Sequence, residues 1–125
     1  PMDPDSDPHT TASIIYDDAM RRKVRVEQAM RWKRPAQMPR SRTVHLYANL
    51  ELLDATGDSA HARASMLVIE TRAGDWRQSG MGQKNLLAGH VHFALRRDGE
   101  VWKIAEKRVD LIDRNLPIEG LSFLL

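Results

Sequence analysis

Cysteine is absent from all 125 residues. That absence excludes a disulfide scaffold, a thiolate zinc site, an iron–sulfur cluster held by this chain and a cysteine nucleophile. No apolar run approaches the roughly 20 residues of a membrane helix. No basic start followed by an apolar stretch marks a secretory leader. The reading therefore expects a cytoplasmic protein that engages no membrane. Aromatic residues make up only 6% of the chain. Hydrophobic residues make up 42% and charged residues 29%, which suits one folded domain over residues 1–125 rather than a disordered chain.

The net charge of +2 conceals three unlike segments. Residues 1–18 hold five Asp and no Lys or Arg. Residues 19–42 hold nine Lys or Arg against Glu27 alone. Residues 43–125 are close to neutral, with ten basic and eleven acidic side chains. The chain as a whole is not a basic protein; one stretch of it is.

Residues 1–13 contain three of the six prolines and no apolar period, so they read as an extended lead-in. Asp17 and Asp18 resemble an N-cap and a first-turn acid. The Gly- and Pro-free sequence that follows predicts a helix over 18–31, with Met20/Val24 and Val26/Met30 as apolar pairs four residues apart. Pro35 and Pro39 end it.

From Ser41 the period becomes two. Val44, Leu46, Ala48, Leu50 and Leu52 alternate with Thr43, His45, Tyr47, Asn49 and Glu51, which predicts a half-buried antiparallel strand. A turn at 54–58 leads to a return strand through Ala62, Ala64, Met66 and Val68. A second hairpin puts Leu87, Gly89, Val91, Phe93 and Leu95 on one face. Its turn is Arg97-Asp98-Gly99-Glu100, where Asp-Gly suits the positive φ of a type I′ turn. Trp102 and Ile104 are out of phase with Val109 and Leu111, which requires an extra residue, a β-bulge, near 105–107. Gly89 marks a bend. Two long hairpins thus fill 41–113.

The tail at 114–125 is apolar: five of the last eight residues are Ile, Leu or Phe. Such an end docks on its own domain or on a partner. The sum is an α+β fold with a curved, strongly antiparallel sheet and a helix as its cover. One helix is thin cover for four long strands, and the expectation is a domain without its first third.

Three constellations suggest chemistry. His90 and His92 share one strand face, a start for a metal site but one without an obvious third ligand; an exposed or interface pair is the plainer reading. Tyr16, Asp17 and His45 would make an acid–base pocket for an isomerase or cyclase if they converged, although Asp17 also suits a cap. The basic stretch from Arg21 to Arg42 resembles a nucleic-acid or protein footprint, yet residues 19–42 lack the glycines of phosphate loops. No G-x-G-x-x-G, G-K-[ST], H-E-x-x-H or G-x-S-x-G occurs.

The order of pieces closely resembles the β (small) subunit of aromatic-ring-hydroxylating dioxygenases. It runs from IIYDD through a basic helix to PRSRTVHLYANLEL and ends in LLAGHVHFALRRDGEVWKIAEKRVDLIDRNLPIEGLSFLL. The most specific parts are Pro39-x-Ser41-Arg42-Thr43-x-His45 with Asn49 beyond it, Trp102-x-Ile104-x-x-Lys107-x-Val109-x-Leu111-Ile112, and Leu121-Ser122-Phe123. Members usually begin with a helical portion and a first strand ahead of the segment equivalent to 1–7.

The resemblance implies a cone-like fold of the nuclear-transport-factor-2-like type. It implies a trimer of this chain within a hexamer of three large α and three small β subunits. The Rieske iron–sulfur cluster and the mononuclear iron would sit in the large subunit. This chain would hold no metal and no catalytic residue, would bind no nucleic acid, and would act by assembly in aromatic catabolism. Arg42, His45, Leu121, Phe123 and Leu125 are then structural or interface residues. Arg42 suits a planar ion pair at a strand start or subunit boundary.

Overall fold

The computed structural model describes residues 7, 10, 13, 15–30, 40–74, 82 and 84–114. It divides into two compact units. One contains the helix α1 (Ala19–Met30). The other contains four strands, β1 (Arg42–Ala55), β2 (Ser59–Thr71), β3 (Lys84–Asp98) and β4 (Val101–Leu111).

Helix α1 starts where the sequence places it. Asp18 is the N-cap: its Oδ1 accepts the Arg21 amide at 2.7 Å and its carbonyl accepts the Arg22 amide at 2.9 Å. Asp17 lies one residue outside, and its carboxylate takes both Nε and Nη2 of Arg25 at 2.6 and 2.9 Å. So Asp18 alone caps, and Asp17 ties the entering chain to the second turn. None of the helix residues is buried, and the Met20/Val24 and Val26/Met30 pairs remain exposed.

The four strands form one antiparallel sheet in the order β1-β2-β3-β4. The β2–β3 ladder is unbroken over both strands. It puts Ala60, Ala62, Ala64, Met66, Val68 and Glu70 beside Leu95, Phe93, Val91, Gly89, Leu87 and Asn85 on one face. This is the buried face: Val68 and Val91 are wholly buried, and Met66, Leu87 and Leu111 nearly so. Burying side chains of this size contributes about 1.5–3 kcal/mol each. Tyr47 of β1 and Phe93 of β3 approach each other across β2, with ring centroids 6.5 Å apart. Lys107 of β4 reaches over to the Tyr47 hydroxyl at 3.4 Å. Side chains of both edge strands thus meet above the middle strands, as befits a sheet curved toward that face.

The bulge expected near 105–107 is present. Ala94 pairs with Glu106 and Leu95 with Ile104, so Ala105 is the extra residue. It brings Ile104 and Trp102 onto the face of Val109 and Leu111, as period two requires.

Three expectations need correction. Strand β1 is antiparallel but not half-buried: all fourteen residues are exposed. It is an edge strand, and Val44, Leu46 and Ala48 pair with Ile69, Leu67 and Ser65 on the face opposite the buried one. Its alternation is also broken. Register shifts fall between Ala48 and Glu51 and between Leu52 and Asp54, and Asn49 has a φ of 53°. Asn tolerates this left-handed backbone better than most residues. The extra residue moves Glu51, not Leu50, onto the face of Val44 and Leu46. Finally, the β3–β4 turn is centred on Gly99-Glu100, since Asp98 pairs with Val101. Only Gly99 has positive φ (62°), which is the II′ pattern rather than I′.

Gly89 is required for a reason beyond a bend. A Cβ there would meet the Asp110 carbonyl oxygen at 2.4 Å and the Leu111 Cα at 3.0 Å. Both atoms are backbone, so β3 and β4 would have to part. Gly89→Ala is predicted to destabilise the sheet by about 1–3 kcal/mol, the usual cost of an inserted methyl group that forces the backbone to move. Urea unfolding against the wild type measures it, and an unchanged midpoint would refute the close approach.

Candidate functional site: the open face of the sheet

The face opposite the buried row is solvent-facing and changes character along the strands. At one end Val44, Ile69 and Leu86 form a cross-strand row, followed by Leu46, Leu67 and Ala88. Ile112 donates its amide to the Ala88 carbonyl at 3.0 Å and extends the patch. Val44, Leu46, Leu86 and Ile112 are between 49% and 69% exposed.

Further along, the rows become ionic. Glu51, Arg63, His92 and Arg108 lie across all four strands, and Asp54, His61, Ala94 and Glu106 lie beyond them. Arg63 Nη2 donates to Glu51 at 2.6 Å, and His61 Nδ1 lies 2.9 Å from Asp54 Oδ1. Asp110 is the most buried member of this face. Its Oδ1 accepts from Arg108 Nε at 3.1 Å, and its Oδ2 lies 3.7 Å from His92 Nε2 without a hydrogen bond. Leu53, Asp54, His61, His92, Glu106 and Arg108 border an open depression of about 370 Å³.

These charges mostly neutralise one another, which is the chemistry of a structured polar surface. No three His, Asp or Glu side chains converge at metal-binding geometry among the described residues. The His90-x-His92 pair does share a face, but Asp110 and Arg108 are its neighbours, not two further ligands. Nothing in the sequence pointed to Asp110, His61 or Arg63. Their partners are set by the bulges in β1 and β4, and register across strands is invisible without them.

Of the acid–base set, Tyr16 and Asp17 belong to one compact unit and His45 to the other. Asp17 is engaged by Arg25, whose guanidinium holds the Asp17 carboxyl below the ordinary value of 3.8. A carboxylate in that state neither donates nor takes a proton near neutrality. Tyr16 is 43% exposed, and His45 sits on β1 opposite Val68 in the other unit. In the basic stretch, Arg25 serves Asp17 and Arg21 lies 3.9 Å from Asp18. Arg42 opens β1 opposite Thr71, is exposed, and has no ion-pair partner among the described residues. Leu121, Phe123 and Leu125 lie outside the described residues.

The family model described as "Ring hydroxylating beta subunit" matches residues 2–117. The chain is 33% identical over 95 residues to the small oxygenase component of the p-cumate 2,3-dioxygenase system of Pseudomonas putida, taking in 75% of this chain and 48% of that protein. The β subunit of benzoate 1,2-dioxygenase from Burkholderia mallei superposes with a TM-score of 0.55 at 22% identity, over 79% of this chain and 58% of that one. The chain thus spans about half the length of the curated relative it matches.

The Asp17–Arg25 pair yields a test. Because the folded carboxyl titrates below its unfolded value, the pair stabilises the helix fully above about pH 4 and loses that effect as pH falls through the lowered value. A carbon-13 titration of Asp17 is predicted to show a midpoint below that of an ordinary aspartate. Arg25→Ala should return it to the ordinary range; an identical midpoint in both proteins would refute the pairing.

Proposed function

The chain belongs to the ring-hydroxylating β-subunit family, and from that premise we propose that it serves as the small subunit of an aromatic-ring-hydroxylating dioxygenase. One observation carries the reading: the family match runs over residues 2–117, nearly the whole chain. The structure supports it with an α+β fold shared with a benzoate dioxygenase β subunit.

The role we infer is assembly. A Rieske centre needs two Cys and two His, and this chain has no Cys. A mononuclear iron of the facial-triad kind needs two His and a carboxylate around open positions. The described residues offer no such set. The described donor set therefore fits neither group, and in this reading both sit in a large partner subunit. The substrate ring and its oxidation go with them.

In this reading residues 1–125 act as one domain of a cytoplasmic complex. Three copies form the base of an α3β3 hexamer, with a cone-like fold of the nuclear-transport-factor-2-like type. The exposed apolar residues of the open face suit burial against another protein, because monomeric surfaces seldom leave such residues contiguous. Arg42 and His45 would bind at a boundary, Arg42 through its planar fork. Leu121, Phe123 and Leu125 would seat the tail.

Two experiments test the reading. Tagged protein purified from its source cells should bring down an equimolar, larger, iron-bearing subunit, read by native mass spectrometry with metal analysis. Recovery alone and iron-free would contradict it. Arg42→Ala should lower the yield of the complex while turnover per iron site stays unchanged. A full-size complex of unaltered thermal stability would remove Arg42 from the boundary.

A further inference from the structure

Asp17 and Asp110 each meet an arginine, and the two meetings differ. Arg25 grips Asp17 side-on, with Nε and Nη2 on the two carboxylate oxygens at 2.6 and 2.9 Å. This is the planar fork that suits a carboxylate best. Arg108 makes only half of it. Its Nε donates to Asp110 Oδ1 at 3.1 Å. Arg108 Nη2 and Asp110 Oδ2 are both buried and have no hydrogen-bond partner among the described residues. Asp110 Oδ2 lies instead toward β3, 3.7 Å from His92 Nε2. The Asp110 side chain is only 10% exposed, so an unbonded oxygen there is costly.

The two ways of satisfying Oδ2 exclude each other. Rotation toward Arg108 completes the fork within β4. Closure onto His92 reaches across to β3 and leaves Nη2 idle. Charge decides between them. A neutral imidazole offers at most one ordinary hydrogen bond, whereas the arginine fork offers two charge-assisted ones. An imidazolium adds its own charge to the bond. Histidine is the side chain whose charge changes between about pH 5 and 8. The other groups that face His92 have partners or stand farther along the strands. From β2, Arg63 lies opposite it and His61 on the diagonal, and these are held by Glu51 at 2.6 Å and Asp54 at 2.9 Å. From β4, Arg108 lies opposite, with Glu106 and Asp110 on the two diagonals. His90 precedes it on the same face of β3. Of the carboxylates in this set, Asp110 is the one with a buried, unbonded oxygen.

We propose that the Asp110 carboxylate is a two-position clasp governed by a proton: with His92 protonated it ties β4 to β3, and with His92 neutral it swings into the fork of Arg108. The cross-strand tie is therefore present at low pH and is lost as pH rises and His92 gives up its proton. Asp110 comes two residues before Ile112, whose amide bonds to the Ala88 carbonyl at the apolar end of the open face. Proton uptake thus tightens the hold of β4 on β3 beside that end. All three side chains belong to β3 and β4 of one compact unit, and the clasp is independent of the role as a dioxygenase subunit.

A double-mutant cycle on the chain tests it. His92→Gln, Asp110→Asn, the pair and the wild type are each unfolded in urea at about pH 5.5 and about pH 8, either side of the range in which histidine changes charge. The coupling of His92 to Asp110 should be at least about 5-fold in the unfolding equilibrium constant at the lower pH and less than about 2-fold at the higher. His61 and Asp54 are the same in all four proteins, so whatever the proton does at that pair cancels. A second measurement needs no variant. Crystals of the wild type grown at both pH values should place Asp110 Oδ2 within hydrogen-bonding distance of His92 Nε2 at the lower pH and of Arg108 Nη2 at the higher. Equal coupling at the two pH values, no coupling at either, or a carboxylate in the same position in both crystals would overturn the proposal.

Discussion

Thirteen consecutive cross-strand pairs, from Ser59↔Arg96 to Thr71↔Lys84, join β2 to β3 without a bulge. Every other feature of the sheet takes its position from that ladder. Because side chains alternate with a period of two, an unbroken pairing assigns each residue of both strands to a face with no freedom left. One face receives Val68, Val91, Met66 and Leu87 and becomes the core. The other receives Arg63, His92 and His61 alongside Leu67 and Leu86. The edge strands then adapt. Strand β4 absorbs one extra residue at Ala105, and β1 absorbs two, at Asn49–Leu50 and at Leu53. Irregularity is confined to the edges, where losing a ladder bond costs least because water can replace it.

The central pair was legible because each of its strands carries one apolar row that keeps its phase from end to end. Ala62, Ala64, Met66 and Val68 read as one row, and Leu87 to Leu95 as its mate. The bulge in β4 was also legible, since Trp102 and Ile104 clash in phase with Val109 and Leu111. The bulges in β1 were not, for the opposite reason. The sequence there alternates almost perfectly, and a pattern without a fault gives no sign that the backbone has one. The residue that bears it, Asn49, is the type that accepts a positive φ, yet Asn is common in strands that lack bulges. The same slip hid the ionic rows, because Glu51 meets Arg63 and Asp54 meets His61 only after the register has moved. Burial was overestimated for β1 because apolar alternation marks a capacity to be covered. Whether anything covers it depends on neighbours.

The chain carries five His, seventeen acids and nineteen Lys or Arg, and several of those on the open face pair with one another. Catalytic groups need unequal environments that push their proton affinities apart. Here the charges are spent in pairs: Asp17 on Arg25, Glu51 on Arg63, and Asp110 on Arg108. Among the described residues the same face also leaves apolar surface exposed at Val44, Leu46, Leu86 and Ile112. The chain's family is that of ring-hydroxylating β subunits, and its exposed apolar surface suits contact with another protein.

The measurement that tests the central claim most directly is residue-resolved hydrogen exchange on the isolated chain. If the β2–β3 ladder organises the sheet, amides bonded between those strands exchange slowest and as one cooperative group. The amides of β1 beyond Asn49 and of β4 before Ala105 then exchange faster by orders of magnitude. Equal protection across all four strands, or slower exchange in β1 or β4 than in β2 and β3, would contradict the account.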